Sequence, residues 1–214
     1  MKFYHLLCFI GLALAGCSGG ATRSEADSMP AVFSEVATNP YTPVENDGVF
    51  VVAYKVGAIT SWGSGFVVRY KDKDVLCTAA HLMSDGPGIL QLYYGNGVPV
   101  PFSSIQEWKN LANDSDFFVL TGLPDSVKRW EVGEARSKSA VTCIGYPENK
   151  RSEGRGKIEQ VIMYITVPIE AGASGGIVIA DGKAIGIATH KVLIDGTNSK
   201  TQCTVLADAL SAMR

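Results

Sequence analysis

The sequence predicts an all-β fold that ends in one short helix. After position 44, runs of β-branched and aromatic residues follow one another at intervals of about 8–12 residues. The 23 glycines make up about 11% of the 214 residues, which exceeds the usual glycine share of about 7% and indicates many turns. No amphipathic helical pattern separates the runs, and this combination is typical of a β-sandwich or a β-barrel.

Each predicted strand is a short apolar run that a turn signal ends. In chain order the strands are Val49–Tyr54, Gly65–Tyr70, Val75–Thr78, Ile89–Tyr94, Val98–Phe102, Phe117–Leu120, Ala140–Gly145, Ile158–Val167, Gly176–Ala180 and Ala184–Thr189. Asp72-Lys73 supplies the turn before the third strand, and Asp181-Gly182 is a strong two-residue hairpin signal. The basic segment 150–157 is interpreted as a solvated loop, and only Val205–Met213 has a helical pattern.

Composition and charge exclude several classes of protein. The chain has 214 residues, 46% of them hydrophobic, so wholesale disorder is excluded. The 19 basic and 21 acidic residues give a net charge of −2, which provides no field to attract nucleic acid or an anionic membrane surface. No apolar run reaches the length of about 18–20 residues that a membrane-spanning helix needs.

The N-terminal segment has the pattern of an export signal. Lys2 precedes an apolar run over residues 3–15, and Gly16 and Cys17 follow. This ending resembles the lipobox of bacterial lipoproteins, in which the cysteine is lipidated, so residues 1–17 are predicted to be a lipoprotein signal peptide. Residues 18–43 are rich in small and polar residues and are expected to be a flexible tether, with a propeptide as the alternative.

The five cysteines leave three for the folded part of the chain. Cys8 falls within the signal peptide and Cys17 at its lipidation site. Cys77, Cys143 and Cys203 stand in apolar, strand-like stretches, where a free cysteine commonly serves as a small buried residue. Three buried thiols are therefore expected, with a Cys143–Cys203 disulfide as the alternative in an oxidising compartment.

Three short motifs together indicate acyl transfer by a serine. His81 ends a predicted strand, Asp116 opens the apolar run Phe117–Leu120, and Ser174 lies in the glycine-rich turn 172–176. Such chemistry needs a nucleophile, a base, an acid that orients the base, and backbone N–H groups for the oxyanion. Asp114 competes for the role of the acid, and Asp116 is preferred because it directly adjoins the apolar run.

These motifs resemble those of the trypsin-like serine proteases. Thr78–His81 reads TAAH, Asp116–Leu120 is similar to the family's aspartate and apolar strand, and Gly172–Gly176 is similar to GxSGG. Ser64–Phe66 and Pro168–Ser174 resemble the bacterial Deg-type branch. The short segment between Asp116 and Ser174 also resembles the compact proteases of positive-strand RNA viruses.

The resemblance implies a fold and a domain organisation. It covers residues 44–212 and implies two six-stranded antiparallel β-barrels with the active site in the cleft between them. Barrel one would run from about 44 to 123 and barrel two from about 133 to 205. Ala173 stands where the family's nucleophile motif usually has Asp or Asn. The residue at this position supplies no N–H group to the oxyanion hole, so the departure is compatible with activity.

The resemblance also implies roles for individual residues. Ser174 would be the nucleophile, His81 the base and Asp116 the acid, while the N–H groups of Gly172 and Ser174 would form the oxyanion hole. By the same resemblance, the walls of the substrate pocket would include Ile169, Thr189 and His190. No acidic residue matches a pocket floor selective for Lys or Arg, so a small or medium apolar residue is expected before the cut.

The sequence thus predicts an exported serine endopeptidase that a lipid on Cys17 anchors in the cell envelope. We expect a monomer that acts on peptides or proteins and needs no cofactor. We expect no metal site either, because the two histidines outside the signal stand in unrelated sequence contexts. The alternatives are an inactive protease-fold module that binds a peptide in its cleft, and a processing protease of phage or viral type.

Overall fold

The structure, a computed structural model, describes residues 47–83, 86–111, 114–159, 164–166, 169–193 and 199–213. These ranges contain twelve strands and one short α-helix, so the predicted all-β class is confirmed. The predicted signal peptide with Cys17, and the predicted tether 18–43, lie outside the described residues. Among the described residues, no helix has the length and apolar character needed to span a bilayer.

The first six strands form one antiparallel sheet. They are β1 Val49–Val56, β2 Ile59–Tyr70, β3 Lys73–Ala79, β4 Ile89–Tyr93, β5 Ser104–Leu111 and β6 Ser115–Thr121. Their order in the sheet is β4-β1-β2-β3-β6-β5. A 3-10 turn, Ala80–Met83, follows β3 directly and carries His81.

The next six strands form a second antiparallel sheet. They are β7 Ala140–Gly145, β8 Ser152–Lys157, β9 Tyr164–Ile165, β10 Ile177–Ala180, β11 Lys183–Leu193 and β12 Ser199–Val205. Their order is β8-β7-β10-β11-β12-β9, and helix α1, Leu206–Ser211, follows β12. Two curled six-stranded sheets and a C-terminal helix are thus the observed architecture, as predicted.

The central strands are buried on both faces, which explains their unbroken apolar sequences. In β1, Phe50 and Val52 pack inside the first sheet, whereas Val49 and Val51 belong to an apolar cluster shared with the second sheet. Because successive side chains of a strand point to opposite faces, both sets of positions must be apolar. The shared cluster therefore joins the two sheets into one body.

Three strands were missed by the sequence analysis, and two of these are edge strands. The charged segment 150–157, interpreted as a solvated loop, contains edge strand β8. β5 lies at the edge of the first sheet, and β12 mixes polar with apolar residues. Edge strands carry polar residues that discourage pairing with other chains, so the apolar pattern used for prediction is weak there. The predicted strand Val98–Phe102 is reduced to a bridge between Tyr93 and Pro99.

The segment between the sheets is fixed by Arg129 and Trp130. The Arg129 guanidinium donates to both carboxylate oxygens of Asp74, at 3.2 and 2.8 Å, and to the Val127 carbonyl oxygen. The backbone N–H of Trp130 donates to the Val67 carbonyl oxygen at 2.9 Å. A bidentate pair of this kind fixes orientation as well as position, so the connection is held against β2 and β3.

The three cysteines of the described chain are free and buried, which confirms the prediction of three buried thiols. Burial raises the pKa of the Cys143 thiol to about 12 and raises the pKa values of Cys77 and Cys203 well above their ordinary range. Since the thiolate is the nucleophile, these side chains are inert in the folded protein.

Iodoacetamide at about pH 8 is therefore expected to leave Cys77, Cys143 and Cys203 unmodified in the native protein and to alkylate all three in urea. Mass spectrometry of the proteolytic peptides locates the label at each residue. Modification of Cys143 under native conditions would contradict the described packing.

Candidate active site

His81 is oriented by the carboxylate of Asp114. The His81 backbone N–H donates to Asp114 Oδ1 at 2.7 Å, and His81 Nδ1 lies 2.6 Å from Asp114 Oδ2. The Ala80 N–H also donates to the Asp114 carbonyl oxygen at 3.2 Å. Two contacts from one carboxylate fix both the backbone turn and the plane of the imidazole.

In the structure Asp114, and not the preferred Asp116, contacts His81. Asp116 lies within β6, opposite Thr78 and Asn110, and its fully buried carboxylate accepts a hydrogen bond from Asn110 Nδ2 at 2.7 Å. Thr78 precedes His81 by three residues, so Asp116 lies beside β3 and not beside the turn that carries His81. Asp114 instead occupies the turn before β6 with a φ of 56°, a conformation that Asp tolerates, and it faces the turn that carries His81.

Ser174 lies in a tight turn that packs on the end of β3. Gly175 has a φ of 87°, and its N–H donates to the Ala188 carbonyl oxygen at 2.7 Å. A Cβ at Gly175 would lie 2.0 Å from the Ser64 carbonyl oxygen and 2.6 Å from Thr78 Oγ1, so only glycine fits there. The turn with Ser174 therefore approaches the same strand end from which His81 projects.

Two backbone N–H groups of the turn are available to a ligand. Gly172 has a φ of 90°, and within the described ranges neither its N–H nor that of Ser174 donates a hydrogen bond. The neighbouring N–H of Ala173 is already used, since it donates to the Glu170 carbonyl oxygen at 3.0 Å. The two free donors are those assigned to the oxyanion hole from the sequence.

The Ser174 hydroxyl itself points to β11. Ser174 Oγ donates to the Thr189 carbonyl oxygen at 3.1 Å. A hydrogen bond to His81 requires rotation about the Ser174 Cα–Cβ bond, and catalytic hydrogen bonds are often long or absent before substrate binds.

Ser64 of β2 holds the turn that contains Ser174 through hydrogen bonds, a role that the sequence analysis missed. Its Oγ donates to the Gly172 carbonyl oxygen at 3.0 Å and accepts the Tyr146 N–H at 2.8 Å, and its own N–H donates to the Ser174 carbonyl oxygen at 2.7 Å. The side chain is fully buried. Ser64 thus links the first sheet to both flanks of the predicted oxyanion hole. Its place in the Ser64–Phe66 motif was the only available signal.

We expect Ser64→Ala to destabilise the protein by about 1–3 kcal/mol, because it removes one buried donor and one buried acceptor at once. We also expect kcat to fall more than KM rises, because the Gly172 peptide loses the contact that fixes it. Urea denaturation and steady-state kinetics measure the two effects. A variant with wild-type stability and wild-type kcat would show that the hydroxyl is dispensable.

Two of the three predicted pocket residues, Ile169 and His190, border different cavities. Ile169 is buried beside a cavity of about 240 Å³, together with Ala173 and Gly145. His190 borders a groove of about 570 Å³ on the other side of the turn. Thr189 is buried, and its Oγ1 donates to the Gln202 carbonyl oxygen at 3.0 Å.

The structure also brings the two histidines together. Their ring centroids are 5.3 Å apart, and His190 Nδ1 lies 3.6 Å from Asp114 Oδ2. His81, Asp114 and His190 each offer one ligand atom, and these atoms lie within 4.8 Å of one another. The two histidines stand far apart in the sequence, and they lie side by side here because β11 and the turn after β3 meet at Asp114.

Comparisons with known proteins agree with this architecture at the level of fold. No family model matches the sequence, and no curated protein does. The inactive form of the Rv3671c protease is similar with a TM-score of 0.59 and 18% identity, over 78% of this chain and 89% of that chain.

Two further solved structures are similar. The serine endoprotease from Yersinia pestis gives a TM-score of 0.62 and 19% identity, over 81% of this chain and 66% of that chain. The thermostable serine protease AL20 from an extremophilic microorganism gives a TM-score of 0.61 and 13% identity, over 76% of this chain and 93% of that chain. The described residues therefore have the trypsin/chymotrypsin fold of the serine proteases.

Proposed function

We propose that the protein is a serine endopeptidase in which Ser174 is the nucleophile, His81 the general base and Asp114 the carboxylate that orients it. The observation that carries the proposal is the pair of contacts from Asp114 to His81, at 2.7 and 2.6 Å, beside a turn in which two N–H groups donate to no other described residue. The fold shared with three serine proteases supports it.

In the proposed reaction, Ser174 Oγ attacks the scissile carbonyl carbon while His81 Nε2 accepts the hydroxyl proton. The Gly172 and Ser174 N–H groups stabilise the oxyanion of the tetrahedral intermediate. His81 then donates that proton to the leaving amine, and water hydrolyses the acyl-enzyme by the same steps. Asp114 remains ionised and holds the imidazolium.

An inactive module that binds a peptide in the cleft is the second candidate. The bond from Ser174 Oγ to the Thr189 carbonyl oxygen favours it, because in this conformation the hydroxyl is not hydrogen-bonded to the imidazole. The two candidates predict different reactivities for Ser174.

A fluorophosphonate probe distinguishes them, because it labels only an activated serine. The proposed enzyme is labelled on Ser174, as peptide mass spectrometry would show, and both Ser174→Ala and His81→Gln remain unlabelled. A folded wild-type protein that stays unlabelled would instead support the binding module.

We further propose that the endopeptidase is exported and held at the cell envelope by a lipid on Cys17. The basis is the sequence pattern of residues 1–17. Stable anchoring in a membrane takes two signals, such as two acyl chains, whereas a single acyl chain binds the membrane reversibly.

Cys17→Ser is expected to give an unlipidated or unprocessed chain, so its partitioning into the detergent phase of a phase-partition assay changes. Cys8→Ser is the matched control, since Cys8 lies within the signal and its loss leaves the modification site intact. A Cys17→Ser variant that still partitions into detergent would refute the anchor.

A further inference from the structure

His81, Asp114 and His190 each offer an atom of a type that ligates metal ions, and two of these residues belong to the proposed triad. We call these three residues the three-ligand cluster. Asp114 Oδ2 lies 2.6 Å from His81 Nδ1 and 3.6 Å from His190 Nδ1. All three ligand atoms lie within 4.8 Å of one another.

The chemistry of the cluster matches Zn²⁺. Two imidazoles and a carboxylate are common zinc ligands, and catalytic zinc sites often keep three protein ligands and one water. Metal–ligand bonds of about 2.0–2.2 Å place tetrahedral ligand atoms about 3.3 Å apart. The separations in the cluster span this value. The side chains of His81 and His190 are 39% and 51% exposed, so both rings have room to turn onto an ion.

The groove beside His190 gives an ion access from solvent. It has a volume of about 570 Å³ and leaves space for a water as fourth ligand. Its lining residues are Asp114, His190, Lys191, Val192, Leu193 and Gln202. Lys191 is the cation in this lining, and it is exposed, so solvent and salt screen its charge.

We propose that the three-ligand cluster binds Zn²⁺ and that the bound ion switches the active site off. Zn²⁺ takes the lone pair of His81 Nδ1, and the single hydrogen of the neutral imidazole, which Nδ1 shared with Asp114, then resides on Nε2 after exchange with solvent. An Nε2 that bears hydrogen cannot accept the proton of Ser174, and Asp114 is engaged by the ion. The switch rests on the proposed function, whereas the binding site does not.

Binding is tested first, with no need for activity. Isothermal titration of Zn²⁺ into the full-length Ser174→Ala protein is expected to give a site that His190→Gln, added to Ser174→Ala, weakens by about 100-fold or more. His190→Cys, which returns a zinc ligand, restores much of the affinity. Gln202→Ala is the matched control, since Gln202 lines the same groove without belonging to the cluster, and it leaves the affinity unchanged.

Every protein in this series contains His5, Cys8 and Cys17, so zinc bound by the N-terminal segment contributes equally throughout. Circular dichroism verifies that each variant is folded, and His190→Asn replaces His190→Gln if the latter is not. Equal zinc affinity with and without His190 would overturn the proposed site.

Inhibition is tested second, on the wild-type protein. We expect Zn²⁺ to inhibit peptide hydrolysis, EDTA to reverse the inhibition, and EDTA alone to leave activity unchanged. The concentration for half-inhibition should rise about 100-fold in His190→Gln, in parallel with the affinity. Hydrolysis that zinc does not inhibit would refute the switch alone. A protein that binds zinc through His190 but hydrolyses nothing in EDTA would refute the proposed function and leave the site standing.

Discussion

Ser174→Ala is expected to lower kcat for a peptide substrate by about 10⁶-fold, because the acyl-enzyme cannot form without the hydroxyl. The folded structure should persist, since the lost hydroxyl makes one hydrogen bond, to the Thr189 carbonyl oxygen, within the described chain. Residual hydrolysis would come from substrate binding and from the backbone N–H groups of positions 172 and 174.

Steady-state kinetics of purified protein, with thermal melting as a control for folding, measure this effect. Ser137→Ala is the matched control variant, because Ser137 is an exposed residue of the segment that connects the two sheets. The kcat of this variant should equal that of the wild type. Comparable turnover by Ser174→Ala would remove Ser174 from the mechanism.

Asp114→Asn is expected to lower kcat by about 10⁴-fold. An asparagine keeps an oxygen for the His81 backbone N–H, but it can turn its amide toward His81 Nδ1. That nitrogen would then have to accept a hydrogen bond, which moves the imidazole hydrogen to Nε2, the atom that must accept the Ser174 proton. The geometry is otherwise kept, because asparagine also tolerates the φ of 56° at this position.

Asp116→Asn is the matched control for this change. Its amide oxygen can still accept from Asn110 Nδ2, and the residue does not hydrogen-bond to His81, so kcat should stay near the wild-type value. The opposite pattern, with Asp116→Asn impaired and Asp114→Asn active, would return the role of the acid to Asp116. Both rate constants come from one assay at saturating peptide.

The central strands could be predicted from the sequence because their burial leaves a local record. β1 and β6 are buried on both faces, so each contains an unbroken apolar run, Val49–Tyr54 in β1 and Phe117–Leu120 in β6. The Asp181-Gly182 hairpin was equally clear, and both residues have positive φ values of 49° and 73°. Edge strand β8 left no such record, because one face and one edge are open to solvent.

The residues of the candidate site were identified from the sequence only as far as their local motifs reached. His81, Gly172 and Ser174 stand in short motifs that can be recognised without the tertiary contacts that hold their turns in place. The choice between Asp114 and Asp116 was beyond local reasoning, because it depends on the register between β3 and β6. Two residues apart, Asp114 and Asp116 would share one face of a regular strand, but Asp114 lies in the turn before β6 with a φ of 56°, and this turn gives the two carboxylates different partners.

The sequence by itself determined the fold class, the number of thiols that become buried and the identities of the proposed nucleophile and base. Those features follow from hydrophobic patterning and turn chemistry, which act over a few residues. Only the tertiary structure decided that Asp114 orients His81, that Ser64 supports the nucleophile turn and that His190 completes the three-ligand cluster. Each of these contacts joins segments that are distant in the chain, and strand pairing and close packing of the two curled sheets, not any local preference, bring their side chains together.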